Sequence, residues 1–161
     1  MPIGEELHSR RVTSEAEPTG ILGSRPTLSQ DQVKHLEFIQ AVITRLGTNS
    51  FLVKGWCLTL AAGLLVFAAE GSRLSVAATA FVPLVAFWFL DGYFLWQERL
   101  FRKLYDQARK PGAEVELFSM NPYPYAGQVR WRQAAFSVTL SLFYGGIGVA
   151  HLAVLLAVVL G

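Results

Sequence analysis

Two charged residues sit inside long apolar blocks, and they are the residues in this chain best placed to do chemistry. Lys54 is the one charge in Phe51–Ala69, FLVKGWCLTLAAGLLVFAA, and Asp91 the one charge in Leu74–Trp96, LSVAATAFVPLVAFWFLDGYFLW. A charge at the centre of a membrane helix costs about 2.5–3.5 kcal/mol on insertion scales, so such groups pair or face water. At about 1.5 Å per helical residue, Lys54 lies roughly 24 Å before Glu70 and Asp91 roughly 25 Å after Leu74. In two antiparallel neighbours the two charges therefore reach the same depth. Three roles fit: an ion pair, within one chain or between two; a polar lining of a pore or cavity; and interfacial solvation, with the long Lys54 side chain reaching headgroups unaided. Asp91 is shorter and reaches less far.

Other reactive types are scattered. His8, His35 and His151 fall in three separate regions, and the single cysteine, Cys57, lies in an apolar block. No glycine-rich phosphate loop, nucleophile elbow or HExxH is present. The expectation is a protein that is not an enzyme, with no metal, no cofactor and no nucleic acid among its partners.

The elements that must position Lys54 and Asp91 follow from composition. Of 161 residues 52% are hydrophobic and 16% charged, against about 25% charged in an average soluble domain. The third apolar block, Ala134–Leu160, carries no formal charge and one histidine, His151. Each block is long enough for a hydrocarbon core of about 30 Å, and each is apolar on all sides rather than along one stripe. The predicted fold is all-α, a transmembrane helical protein with three spans at 51–69, 74–97 and 134–160. Residues 1–29 hold Glu5, Glu6, Glu15 and Glu17 among Ser, Thr, Pro and Gly, lack the apolar run of a signal peptide, and are expected to be disordered.

Charge orients the spans. Arg10, Arg11, Arg25, Lys34 and Arg45 precede the first, only Arg73 lies between the first two, seven basic residues lie between Glu98 and Arg132, and none follows the third. The positive-inside rule then predicts the N-terminus in, the C-terminus out, and nearly all non-membrane mass in the cytoplasm.

Two cytoplasmic pieces are expected to be helical. Residues 30–48 place Val33, Leu36, Ile39 (or Gln40), Ile43 and Leu46 at three- and four-residue steps, with Ser29 as cap and Gly47 as stop. Thr48-Asn49-Ser50 would then cap the first span. The second span is expected to run on as one long helix into the cytoplasm until Pro111-Gly112, within a region at 98–132, with Glu98–Arg102 and Arg102–Asp106 as charge pairs. Its basic face, Arg99, Arg102, Lys103, Arg109 and Lys110, suits anionic lipid or an acidic ligand such as a nucleotide. Val115–Met120 has the look of a short strand, and Asn121–Tyr125 of an extended or turn segment. Pro83 is expected to kink the second span. Trp56, Tyr93, Trp96 and Trp131 fit an aromatic belt at the cytoplasmic interface.

Small residues recur every four positions at Gly55, Thr59 and Gly63, and at Ser137, Ser141 and Gly145 with Gly148 beside them. Such faces let membrane helices approach closely, within a chain or between copies, and a homo-oligomer is expected.

The stretches NSFLVKGW (Asn49–Trp56) and LDGYFLWQERLFRKLYD (Leu90–Asp106) resemble a family of small multi-span bacterial membrane proteins that carries no assigned activity. The resemblance covers most of residues 31–160. More loosely, a few membrane helices with a compact cytoplasmic portion look like the membrane effectors of bacterial anti-phage systems. That likeness implies an oligomer that permeabilises the inner membrane on a signal from a cytoplasmic sensor protein or a nucleotide. The other expectation is a non-conducting anchor or scaffold that recruits a cytoplasmic partner.

Overall fold

The computed structural model describes residues 28–71, 78–112 and 114–160. The predicted disorder of the N-terminal segment falls almost wholly outside these residues, as does the first turn of the expected second span. Among the described residues every regular element is helical.

Helix α1, Gln30–Gly71, is 42 residues long, roughly 63 Å. It starts at a capping box. The Ser29 hydroxyl accepts from the Gln32 N–H at 3.2 Å, and the Gln32 side chain accepts from the Ser29 N–H at 2.9 Å, which satisfies two otherwise orphaned donors. The helix does not stop at Gly47. The Thr48 hydroxyl donates back to the Thr44 carbonyl at 3.1 Å, and the Ser50 hydroxyl turns across to the next helix. The expected amphipathic helix and first span are one continuous rod, because Thr48 and Ser50, read as caps, find partners without leaving helical geometry.

Helix α2, Phe81–Ala108, runs without a break through Trp96. Pro83 stands in its first turn rather than mid-helix, where a missing N–H costs nothing. The helix ends at Ala108, just ahead of Pro111, and Gly112 at φ +72° turns the chain. A 3-10 helix, Tyr123–Gln128, follows, its entry set by the Asn121 side-chain oxygen accepting from the Tyr123 N–H at 3.1 Å. Of the segment expected to be extended or turn-like, Asn121 and Pro122 precede the 3-10 helix and Tyr123–Tyr125 lie within it. The expected strand at Val115–Met120 is not formed. The chain instead turns at Leu117–Phe118, where the Ser119 N–H donates to the Glu116 carbonyl at 3.0 Å and Phe118 takes φ 64°. A left-handed phenylalanine costs roughly 1–2 kcal/mol. A hydrogen bond from His35 Nε2 to the Ser119 carbonyl at 2.9 Å, with ring contacts from Phe118 to His35 and Phe38, holds it.

The third apolar block divides. Helix α3, Trp131–Ala135, ends in a turn at Phe136, and helix α4 runs Val138–Leu160. Ser137 makes the division, its hydroxyl accepting from the Leu140 N–H at 3.5 Å. Helix α4 continues unbroken through Gly145-Gly146.

Rising positions on α1 meet falling positions on α2: Ile39 and Ile43 with Leu104, and Cys57 with Leu84. Likewise Tyr144 on α4 reaches Phe87 and Asp91, and His151 faces Phe81. Helix α2 is thus antiparallel to both neighbours and lies between two apolar clusters. One holds Cys57, Leu84, Leu140 and Tyr144; the other holds Ile39, Ile43 and Leu104 at the end capped by residues 115–125. The buried stripe of α1 is His35, Ile39, Ile43, Val53, Cys57 and Ala61, so Val33, expected inside, is exposed.

Among the described residues two helices are long and apolar enough to cross a membrane, over Gln30–Phe67 and Val138–Ala157, with mean hydropathies of 1.8 and 1.9 in their best windows. Only 22% and 17% of those windows is buried, whereas the core helix of a soluble protein is mostly buried. Phe51, Phe67, Val138, Leu142 and Val149 all face outward, a larger apolar surface than a soluble monomer usually shows.

Candidate functional site

The three long helices meet at one carboxylate. Asp91, on α2, is completely buried. Its Oδ2 lies 2.5 Å from Lys54 Nζ of α1 and accepts from the Tyr144 hydroxyl of α4 at 3.1 Å. Its Oδ1 accepts from the Ser50 hydroxyl of α1. Lys54 Nζ also donates to Ser50 Oγ at 2.8 Å, so Ser50, Lys54 and Asp91 close a ring. Ser50 and Lys54 are one helical turn apart, which puts both on the α1 face that meets α2.

Every polar atom of this cluster has a partner. The Tyr144 hydroxyl has a second acceptor, the Phe87 carbonyl at 3.3 Å, and its single proton suits the nearer, charged oxygen. The Lys54 side chain keeps 18% of its exposure. An engaged carboxylate with no exposure presents no lone pair to a substrate or passing ion. What the arrangement does is tie α1, α2 and α4 together at one depth. Sequence reasoning paired Lys54 with Asp91 and missed Ser50 and Tyr144. The signal for both was depth: they are the polar side chains of the neighbouring helices at the level of Asp91.

A second set of contacts fixes α3 on α2. Trp88 Nε1 donates to the Ala135 carbonyl at 2.9 Å, Trp96 Nε1 to the Val129 carbonyl at 2.9 Å, and Arg99 Nη1 to the Gln133 carbonyl at 3.0 Å. These donors share a face of α2 with Gly92, where a Cβ would stand 3.3 Å from both Ala135 Cα and Cβ. Gly92 is the glycine that close packing uses, and it was not among the small residues singled out.

Those small residues are placed differently from one another. A Cβ added at Gly55 or Gly63 would meet nothing within 4 Å, and Thr59 is exposed, its hydroxyl returned to the Gly55 carbonyl at 3.0 Å. That stripe faces away from the other described elements. Gly148 packs on Leu84, 3.6 Å from where its Cβ would be. Ser141 and Gly145 line an apolar groove of about 270 Å³ with Leu84, Trp88, Phe136 and Tyr144. Ser137 serves as the cap of α4.

The basic face also divides. Arg99, Arg102 and Lys103 line a groove of about 270 Å³ with Gln128, Val129 and Gln133. Arg109 and Lys110 lie past the end of α2, bonded to Asp106 at 3.2 Å and Gln107 at 2.9 Å. Arg102 pairs with Glu98 at 2.5 Å, and the expected Arg102–Asp106 pair is not formed, because Asp106 takes Arg109.

The site and fold define a class: a chain whose described residues form only helices, two of them fit to span a membrane. Compared with protein-family models, curated proteins and solved structures, the chain matches none.

Proposed function

We propose that this chain is a three-span protein of the bacterial inner membrane, N-terminus in and C-terminus out, that acts as a non-conducting anchor and recruits a cytoplasmic partner. The observation that carries this reading is the complete burial of Asp91, both of whose oxygens are engaged within the protomer. An ionisable side chain that serves an ion path faces a water-filled cavity, and the one acid inside an apolar block of this chain is closed off inside the protomer. The α1 half that precedes Ser50 supports recruitment. There Leu28, Val33, Leu36, Ala41, Thr44 and Tyr105 border an apolar groove of about 790 Å³.

Reconstitution tests the proposal. Liposomes carrying the purified chain should pass no more ions than empty ones, and Asp91→Asn should lower thermal stability without opening a leak. A wild-type current abolished by Asp91→Asn would overturn it.

A second reading, the oligomeric channel-like effector of anti-phage defence triggered by a sensor protein or nucleotide, draws support from the outward Gly55/Thr59/Gly63 stripe. In that reading, copies assemble through α1 and a path forms between protomers.

A further inference from the structure

We propose that the groove between α2 and the segment entering α3 binds the phosphodiester headgroup of an anionic membrane lipid. Arg99, Arg102 and Lys103 stand at three- and four-residue steps on one face of α2, and Gln128, Val129 and Gln133 form the opposite wall, enclosing about 270 Å³. Arg102 is balanced by Glu98. Arg99 and Lys103 meet no acid among the described residues. Arg99 is instead aimed by a neutral acceptor, the Gln133 carbonyl at 3.0 Å, which uses one of its five N–H donors and leaves the guanidinium fork able to grip a phosphate. Two amide side chains add further donors. The groove therefore carries two unbalanced positive charges in a fixed frame.

The aromatic residues place this groove at headgroup depth. Trp96, one turn nearer the membrane than Arg99 and two turns nearer than Lys103, is bonded to Val129. Trp131 stacks on Phe89 at 5.4 Å, and Trp88 meets Phe136 at 5.2 Å. Indole rings concentrate where hydrocarbon gives way to headgroups, so the next two turns of α2, which carry Arg99 and Lys103, lie among lipid headgroups. The lining also favours a lipid over a nucleotide: arginine, lysine, glutamine and valine supply no aromatic face for a base. This inference rests on the membrane-spanning reading above.

The test uses the full chain purified in a zwitterionic detergent and titrated separately with short-chain phosphatidylglycerol, short-chain phosphatidylcholine and inorganic phosphate. Thermal midpoints and native mass spectrometry report binding. Phosphatidylglycerol should raise the midpoint and stay bound, while the other two do neither. Arg99→Gln with Lys103→Gln should weaken that binding about thirtyfold, and Lys103→Gln alone, at an exposed position with no partner to lose, about fivefold. Arg109→Gln with Lys110→Gln should leave it unchanged. Equal retention of the two lipids, an equal loss in the Arg109/Lys110 variant, or saturation by inorganic phosphate alone would each overturn the proposal. Failure of the spanning reading shows separately, as release of the chain from native membranes by alkaline carbonate.

Discussion

Lys54 and Asp91 differ in how much water each retains, and that difference makes the pair testable. Removing one partner of a buried ion pair costs about 3–5 kcal/mol, because the other charge is left unanswered. Lys54→Met strands Asp91, which has no exposure, so the cost should lie near the upper figure. Asp91→Asn strands Lys54, whose side chain keeps 18% exposure, so the cost should lie near the lower one. In the double variant the asparagine oxygen still accepts from Ser50 or Tyr144, and its amide can donate to the Ser50 oxygen that Lys54 has vacated. The double variant should therefore be more stable than Lys54→Met alone. Thermal unfolding of the four proteins in detergent closes the cycle, and additive losses would show that the two residues act independently. The depth argument from Glu70 and Leu74 was enough to bring Lys54 to Asp91. It could not rank the hydroxyls, because Ser50 reads locally as a cap and Tyr144 as one aromatic among many.

At the scale of elements, helix α1 separates what local pattern reveals from what it hides. The steps of three and four through Ile39 and Ile43, and the cap at Ser29, were legible because both depend on near neighbours in sequence. The continuity of the rod was not. Gly47-Thr48-Asn49-Ser50 has the composition of a helix stop, and the structure shows why none occurs: Thr48 bonds back to the Thr44 carbonyl and Ser50 turns to Asp91 on α2. The same limit hid Gly92, whose partner Ala135 is distant in sequence, and the turn at Phe118, which depends on His35. Helical geometry at Gly47 leads to an expectation opposite to that of a stop. An added Cβ there meets only Glu98 Oε2, at 3.9 Å, and glycine inside a helix costs about 0.5–1 kcal/mol relative to alanine. Gly47→Ala should raise stability by about that amount in thermal unfolding. A loss would mean that the chain needs glycine's freedom here, as two helices joined at a cap would.

The whole molecule presents two kinds of apolar surface. One wraps the outer faces of α1 and α4, where bulky residues such as Phe51, Phe67, Val138 and Leu142 suit lipid chains. The other is the narrow line of Gly55, Thr59 and Gly63, which bulky residues flank but do not fill. Lipid gains little from so shallow a stripe, whereas a neighbouring helix gains close contact along it, and contact of this kind replaces the hydrophobic drive that is missing between helices in a bilayer. Substitution here separates protomer from assembly. Among the described residues no neighbouring element lies within 4 Å of a Cβ at Gly55 or Gly63, so Gly55→Leu with Gly63→Leu should not weaken the protomer and should stabilise it by about 1–2 kcal/mol through the removal of two helix glycines. If the stripe seats a second copy, the two leucines hold the backbones apart and the oligomer dissociates to protomers, read as a fall in mass by light scattering in detergent. An oligomer of unchanged mass in the double variant would place the contact elsewhere, with the groove beside Ser141 and Gly145 as the next face to block.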